Sequence, residues 1–408
     1  MEIMISRKSA YRVGWLIDGS GQPALEDRVM VVEEGRFQSI LDVRAPLPPD
    51  IAVVDLSDCT VFPALVDSHV HLVMSGSTDP VVRKTQLESS HTDLDQRSVI
   101  ARHLDQHLAC GVLAVRDGGD QNGDSLKYKC RRPSTVTIAA PGRARNAPGR
   151  YGKLIGIPVP PGTSLAESLF SAGHQRDHVK LVNSGLNSLT QFGVETSPQF
   201  TTEELKATVV AARTHGLPTM VHANGHLPVQ LAVEAGCTSI EHGFFMGHEN
   251  MQRMADRGVV WVPTAVTMKA YQDYLQTQGH RSDASFADVS RKNLEHQLEQ
   301  IRAARQLGVI LAVGTDAGSP GVHHGLAMKT EIQLFIDAGL NVEEAIQCAT
   351  LNGARLMGLS DRGAIATGMR ADFLAVRTPP QTVPEALHQL VYRVVDGRPL
   401  DSCTGGNN

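Results

Sequence analysis

Apolar residues along this chain fall into two kinds of run. Short β-rich runs broken by turns fill the stretch from Tyr11 to about Val61: Val13–Ile17, Arg28–Val32 and Ile51–Val54, with Asp18–Gly21 and Glu33–Gly35 between them. They predict a small β-domain. The same pattern returns near the far end in Ala371–Val376 and Leu390–Val395, after the glycine-punctuated Gly363–Gly368. The two termini are therefore expected to share one β-structure.

Between them, strand-like runs alternate with longer segments of helical periodicity, the pattern of βα units around a parallel sheet. Eight runs can be counted: Val61–Val66, Val112–Arg116, Val136–Ala140, Val179–Val182, Pro218–Val221, Ser239–Glu241, Val259–Val262 and Ile310–Gly314. Helices are clearest at Glu203–His215, Leu227–Ala235, Val289–Leu307 and Leu326–Ala338, followed by the terminators Gly216, Gly236, Gly308 and Gly339. Eight such units favour a closed barrel over an open doubly wound sheet. The expected fold is α/β: a (β/α)8 TIM barrel over residues 62–362, with a β-sandwich domain assembled from residues 1–61 and 363–408.

Composition narrows the partners. A chain of 408 residues with net charge −5 has no broad cationic surface for phosphates, so nucleic acid is not expected and a small molecule is. Charged residues interrupt the apolar start of the chain, and no stretch is long enough to span a bilayer. The six cysteines are scattered without a CxxC pair, which places the protein in a reducing cytoplasm as small buried apolar groups.

Candidate chemistry gathers at the ends of the strand-like runs. In Val66-Asp67-Ser68-His69-Val70-His71 the two histidines stand at i and i+2, on one side of an extended chain, and present two imidazoles to a divalent ion. His222 ends the fifth run, His242 the sixth and Asp316 the eighth. Each lies where a barrel strand meets its active-site loop. Imidazoles with one carboxylate suit zinc or a similar first-row ion. Lys180 stands inside the apolar Val179–Val182, where an unpaired ammonium is costly to bury; pairing with an acid such as Asp316 is the plain explanation.

Together Val66–His71, Lys180, His222, Glu241-His242-Gly243 and Gly314-Thr315-Asp316-Ala317-Gly318 resemble the amidohydrolase superfamily, nearly end to end. The segment Ala345–Leu359 and the stretch Gly363–Phe373 resemble the part that closes that family's barrel and returns to its β-domain. Within the superfamily the chain is most similar to the imidazolonepropionase-like and dipeptidase-like (prolidase-related) branch. That resemblance implies a binuclear centre, two divalent ions with zinc favoured, and carbon dioxide bound as a carbamate on Lys180. It implies that His69, His71 and Asp316 hold the more buried ion, His222 and His242 the other, and carboxylated Lys180 both. The implied reaction is attack of a metal-bridged hydroxide on an amide carbonyl, with Asp316 passing the water's proton to the leaving amine. A homo-oligomer is expected.

The deaminase branch uses one metal, no lysine here, and a glutamate three residues after the strand-five histidine; this chain has Gly225 there. Two more rivals are cyclic amide cleavage, as by imidazolonepropionase, and a non-catalytic scaffold; the scaffold is disfavoured because every ligand position is kept. For substrate, the proline- and glycine-rich loop 141–162 offers Arg143, Arg145, Arg150 and Tyr151, which would clamp the carboxylate of a dipeptide or N-acyl amino acid. His226 and the pair His323-His324 lie on loops above the same rim, with His226 and His324 as expected contacts.

Overall fold

A computed structural model describes residues 8–88, 93–170, 175–278 and 284–400. Two compact units emerge: one takes the chain up to Val66, Ala109–Leu113 and everything from Leu340 on, the other Asp67–Leu108 and Ala114–Gly339.

In the first unit both ends of the chain enter one sheet, as their patterning predicts. Its seven strands run in the order Arg398–Pro399, Leu390–Val395, Phe373–Val376, Ala52–Pro63, Ser9–Leu16, Leu25–Glu33 and Arg36–Asp42. The hydrogen bonds join these strands into a single ladder, not two separate sheets. One face carries Tyr11, Leu16, Met30, Phe37, Phe373 and Val394, all buried, with the Tyr11 and Phe373 rings edge-on at 4.9 Å. Helices Val342–Cys348 and Leu351–Leu356 also belong to this unit.

The second unit is parallel α/β. Six strands form one sheet in the order Val260–Val262, Ser239–His242, Thr219–Ala223, Val179–Val182, Ala144–Asn146 and Gly156–Pro158; Leu65–Val70, Val112–Asp117 and Thr137–Ala139 form another. Among the described residues the strands form two parallel sheets and do not close into the expected barrel. The eighth run is not a regular strand, yet its backbone is tied on both sides: Ala312 N donates to Trp261 O at 3.0 Å and Ser68 N to Val313 O at 2.9 Å.

Most expected strands fall where the pattern put them. The first is displaced: Val61, Phe62 and Pro63 pair with Ala375, Leu374 and Phe373 in the terminal sheet, and the strand that carries His69 is Leu65–Val70. Proline has no N–H to continue a ladder, so the apolar run divides there. The loop after the third run is not helical, as expected, but contributes two extra strands, Ala144–Asn146 and Gly156–Pro158.

Helix ends follow their capping chemistry. Helix Thr202–Thr214 opens on a capping box in which Thr201 Oγ1 accepts from Glu204 N at 3.2 Å and Glu204 Oε2 accepts from Thr201 N at 2.8 Å. Gly216, Gly236, Gly308 and Gly339 take φ between 67° and 104°, the left-handed turn that stops a helix. Among the described residues no helix is long and apolar enough to cross a membrane.

Candidate metal centre

The strand ends bring His69, His71, Lys180, His222, His242 and Asp316 to the wall of one cavity of about 330 Å3. The pleat of Leu65–Val70 sets His69 and its neighbour His71 with rings 5.4 Å apart. His242 lies 4.9 Å from His69 and 4.6 Å from His222, ring to ring. Nitrogens of His69 and His71 and a carboxylate oxygen of Asp316 all lie within 4.8 Å of one another. Asp316 Oδ1 stands 3.2 Å from His71 Nε2 and 3.6 Å from His69 Nε2. His242 and Asp316 both adopt positive φ, 69° and 55°, which aims each side chain as the strand gives way to its loop. Such strain gathers at functional sites.

Every histidine of the group is held by one nitrogen and presents the other. His69 Nδ1 donates to Glu241 Oε2 at 2.8 Å, His71 Nδ1 to Gly119 O at 3.0 Å, and His222 Nε2 to Gly185 O at 3.1 Å. These acceptors have no proton to give, so the hydrogen must sit on the imidazole and the tautomer is set. His242 Nδ1 pairs with Thr264 Oγ1 at 2.7 Å. The lone pairs left over are His69 Nε2 and His222 Nδ1, while His71 Nε2 faces Asp316 Oδ1 at 3.2 Å. Outer partners of this kind are what orient metal-binding imidazoles.

Burial and charge act in the same sense. Burial, with Lys180 next in effect, pushes His69 far down and His222 to about 4, and burial with its histidine neighbours does the same to His242, so these rings are neutral at pH 7. Burial would also lower His71, but its bond to Asp316 and the Asp316 and Asp117 carboxylates raise it. Asp316 goes the other way: burial opposes ionisation, and the hydrogen bond to His71 with the nearby imidazoles outweighs it. Its Oδ2 accepts from Ser319 Oγ at 2.8 Å.

Two buried atoms in this group have no hydrogen-bond partner, His69 Nε2 and Lys180 Nζ. Lys180 is 1% exposed, and burial lowers its ammonium to about 8 despite the Glu241 and Asp316 carboxylates. An orphaned donor and an orphaned lone pair facing one carboxylate are costly unless a ligand satisfies them. The donor set, four imidazoles with one ionised carboxylate, fits first-row divalent ions.

Three supporting residues escape a local reading of the sequence. Glu241, fully buried, accepts from His69 and from Arg116 Nη1 at 3.2 Å, and Arg116 is itself buried. A glutamate in one apolar strand and an arginine in another were the available signal for this pair. Gly118 is the third. A Cβ there would stand 2.5 Å from His71 Cε1 and 3.0 Å from His69 Nε2, so only glycine leaves room for both rings. Gly118→Ala is expected to lower metal affinity about 10- to 100-fold with the fold intact by circular dichroism. An unchanged metal titration would contradict this packing role.

The expected substrate contacts divide. Tyr151 lines the cavity, its ring 5.3 Å from that of His222, and burial with the Asp316 charge raises its phenol so that it stays a donor. Arg145 instead turns to Ser168, with Nε 3.2 Å from Ser168 Oγ, and Arg150 Nη2 donates to Ser197 O at 2.8 Å. Arg143 and His226 are absent from the cavity wall; His226 begins helix His226–Ala235, where its N–H donates to Glu195 Oε2 at 2.7 Å. His324 is buried elsewhere, stacked on His103 at 3.9 Å, with Nε2 donating to Met74 O at 2.9 Å. Arg145 and Arg150 thus bond to the chain around them and not into the cavity. In their place the wall contains Arg83, Asn224 and Tyr271.

Gly225 has φ 88°, and a Cβ there would lie 2.7 Å from Glu195 Oε2. A glutamate at this position would be strained and crowded, which is a structural reason for its absence.

Comparison with known proteins agrees with this geometry. The profile of the amidohydrolase family matches residues 60–400. Imidazolonepropionase of Nocardia farcinica is 26% identical over 406 residues, covering 92% of this chain and 90% of that protein. Among solved structures, a Xaa-Pro dipeptidase with bound methionine superposes with TM-score 0.78 at 24% identity, covering 97% of this chain and all of that one. Ochratoxinase of Aspergillus niger superposes with TM-score 0.76 at 18% identity, covering 98% and 97%. At these identities the structural likeness carries the fold, an α/β TIM-barrel type.

Proposed function

Because the chain belongs to the amidohydrolase family, and is thus a hydrolase of carbon–nitrogen bonds, we propose that it cleaves the amide of a dipeptide or N-acyl amino acid at a two-metal centre bridged by carboxylated Lys180. The observation that carries this reading is Lys180: a buried amine with no partner, in a cavity wall it shares with His69, His71, His222, His242 and Asp316. In the reading, residues 62–362 form the catalytic barrel. His69, His71 and Asp316 would hold one ion, His222 and His242 the other, with carboxylated Lys180 as an anionic ligand; zinc suits these donors.

Carbamate formation needs the neutral amine: its lone pair attacks carbon dioxide and a proton leaves. Burial brings the ammonium from its ordinary 10.5 to about 8. At pH 7 that leaves about a tenth of the amines neutral, where an ordinary lysine has well under a thousandth. The product is anionic, so an awkward buried cation becomes a metal ligand.

Divalent ions in such a site supply Lewis-acid polarisation of the substrate carbonyl and acidify water. The chain's own residues do the rest. Asp316, ionised and in reach of both halves of the centre, takes the attacking water's proton and returns it to the departing amine. Tyr151, protonated and facing the cavity, donates to the carbonyl oxygen as negative charge grows there. Apolar side chains around the cavity exclude bulk water and strengthen both interactions.

Hydrolysis measured across dipeptides and N-acyl amino acids should give free amine as the product of the preferred substrates. A second reading, ring opening of a cyclic amide, rests on the likeness to imidazolonepropionase and belongs in the same screen. Ammonia release from amino-heterocycles with no amide cleavage would overturn the proposal in favour of deamination.

A further inference from the structure

Among the described residues lining the cavity, Arg83 is the one permanent cation outside the metal centre. It stands on helix Pro80–Glu88, within the loop that follows His71. Its contacts are lopsided. Nη1 donates to the carbonyls of Ser75, Ser77 and Gly318, the last at 2.9 Å, and no carboxylate of the described chain pairs with it. Nε and Nη2, the edge of the guanidinium suited to a two-pronged acceptor, make no bond to the described chain.

The Gly318 carbonyl also fixes where this charge sits. Gly318 follows Asp316 by two residues, and the turn is closed by Ser319 N donating to Asp316 O at 3.0 Å. The guanidinium is therefore anchored to the turn that carries the catalytic carboxylate. It is half-buried, and burial lowers its pKa while Asp316 opposes that. A half-desolvated arginine with a free edge and no carboxylate of the described chain in ion-pair contact is an arrangement that a ligand's anion completes.

Much of the remaining wall is apolar, with Asn187, Asn224 and Thr267 as polar members. Leu186, Leu189, Phe244, Met268 and Tyr271 are apolar or aromatic. A substrate that satisfies both parts carries one free carboxylate and an apolar body.

We infer that Arg83 is the specificity-determining residue that binds the substrate's carboxylate, selecting N-acyl amino acids and dipeptides with apolar side chains and a free C-terminus. The inference rests on the amide-hydrolase reading above and replaces the loop arginines with a single receptor. Arg83 acts in binding, not on the reacting atoms.

The test compares kcat/KM for an apolar N-acyl amino acid and for the same molecule with its carboxylate converted to carboxamide. The wild-type protein is expected to prefer the carboxylate about 10- to 100-fold, and in Arg83→Gln the ratio is expected to collapse toward one. Arg83→Lys should keep part of the preference, because it keeps charge but not the planar fork. Loss of Nη1 as a staple of the Ser75–Ser77 and Gly318 loops would lower both substrates together and leave the ratio where it was; that result would overturn the inference. Should neither substrate be turned over, the amide-hydrolase reading fails, and calorimetric titration of the same ligand pair into wild type and Arg83→Gln still reads the ratio. Equal affinity of the wild-type protein for carboxylate and carboxamide would then overturn the assignment of Arg83.

Discussion

Lys180→Ala protein is expected to lose at least about a hundredfold in kcat/KM and to regain part of it when short carboxylic acids are supplied. The alanine deletes an amine that is 1% exposed and has no hydrogen-bond partner, so no hydrogen bond within the described chain is broken by the change. What would be lost is the anionic ligand that the amine is proposed to become. The space left behind is open to the metal centre, and a small carboxylate has the charge and the pair of oxygens to stand where the carbamate would. The wild-type protein should show the matching pH dependence. Protonation of an amine with a pKa of about 8 opposes carbamate formation, so assembly with carbon dioxide should be faster at pH 8 to 9 than at pH 6 to 7, and faster with added bicarbonate. Full activity in Lys180→Ala, or assembly indifferent to pH and bicarbonate, would remove the lysine from the centre.

Asp316→Asn is expected to keep much of its metal yet drop kcat by about 100- to 10,000-fold, the range ordinarily assigned to a lost acid–base group. The asparagine keeps one oxygen in the place of Oδ1, which now faces His69 and His71, while its amide NH2 replaces the oxygen that accepts from Ser319 Oγ at 2.8 Å. It removes the charge that the neighbouring imidazoles stabilise and the ability to accept a proton. A structural ligand alone would show the reverse pattern, with occupancy falling and kcat per bound metal unchanged. Metal content and single-turnover rates measured on one sample separate the two.

Much of the centre was legible because its members sit at the ends of elements that local patterning predicts. An apolar run of four to eight residues announces a strand, and His71, His222, His242 and Asp316 each stand at or just past such a run. Lys180 was visible as a charge inside Val179–Val182. What could not be read was where loop side chains point. Arg145, in a loop that folds into extra strands, turns its guanidinium onto Ser168, and His324 leaves the rim to stack on His103. Neither outcome follows from position in the chain, since each depends on partners 23 and about 220 residues away. Conversely, Arg83 reaches the cavity from a short helix whose sequence carries no sign of it, held by the carbonyl of Gly318, 235 residues on. The Arg116–Glu241 pair beneath His69 is non-local in the same way, as is the dependence of both strand-one imidazoles on the missing side chain of Gly118.

The same logic explains why the eighth run reads as a strand and is built as less. Ile310–Gly314 has strand composition, but its ladder is short, an isolated bridge of two bonds to Trp261 on one side and one bond from Ser68 on the other. Beyond it the backbone leaves extended geometry, with φ of 55° at Asp316. Asp67 binds this segment from below, its carboxylate accepting from Thr315 N at 2.9 Å and Thr315 Oγ1 at 2.6 Å. Regular pairing yields here to the aiming of one carboxylate.

The most direct test of the two-metal centre is the metal-to-protein ratio of the chain purified without chelator in the presence of bicarbonate. Two divalent ions per wild-type chain, falling to one or none in Lys180→Ala, is the predicted result. A single ion in the wild-type protein, retained in full by Lys180→Ala, would contradict it.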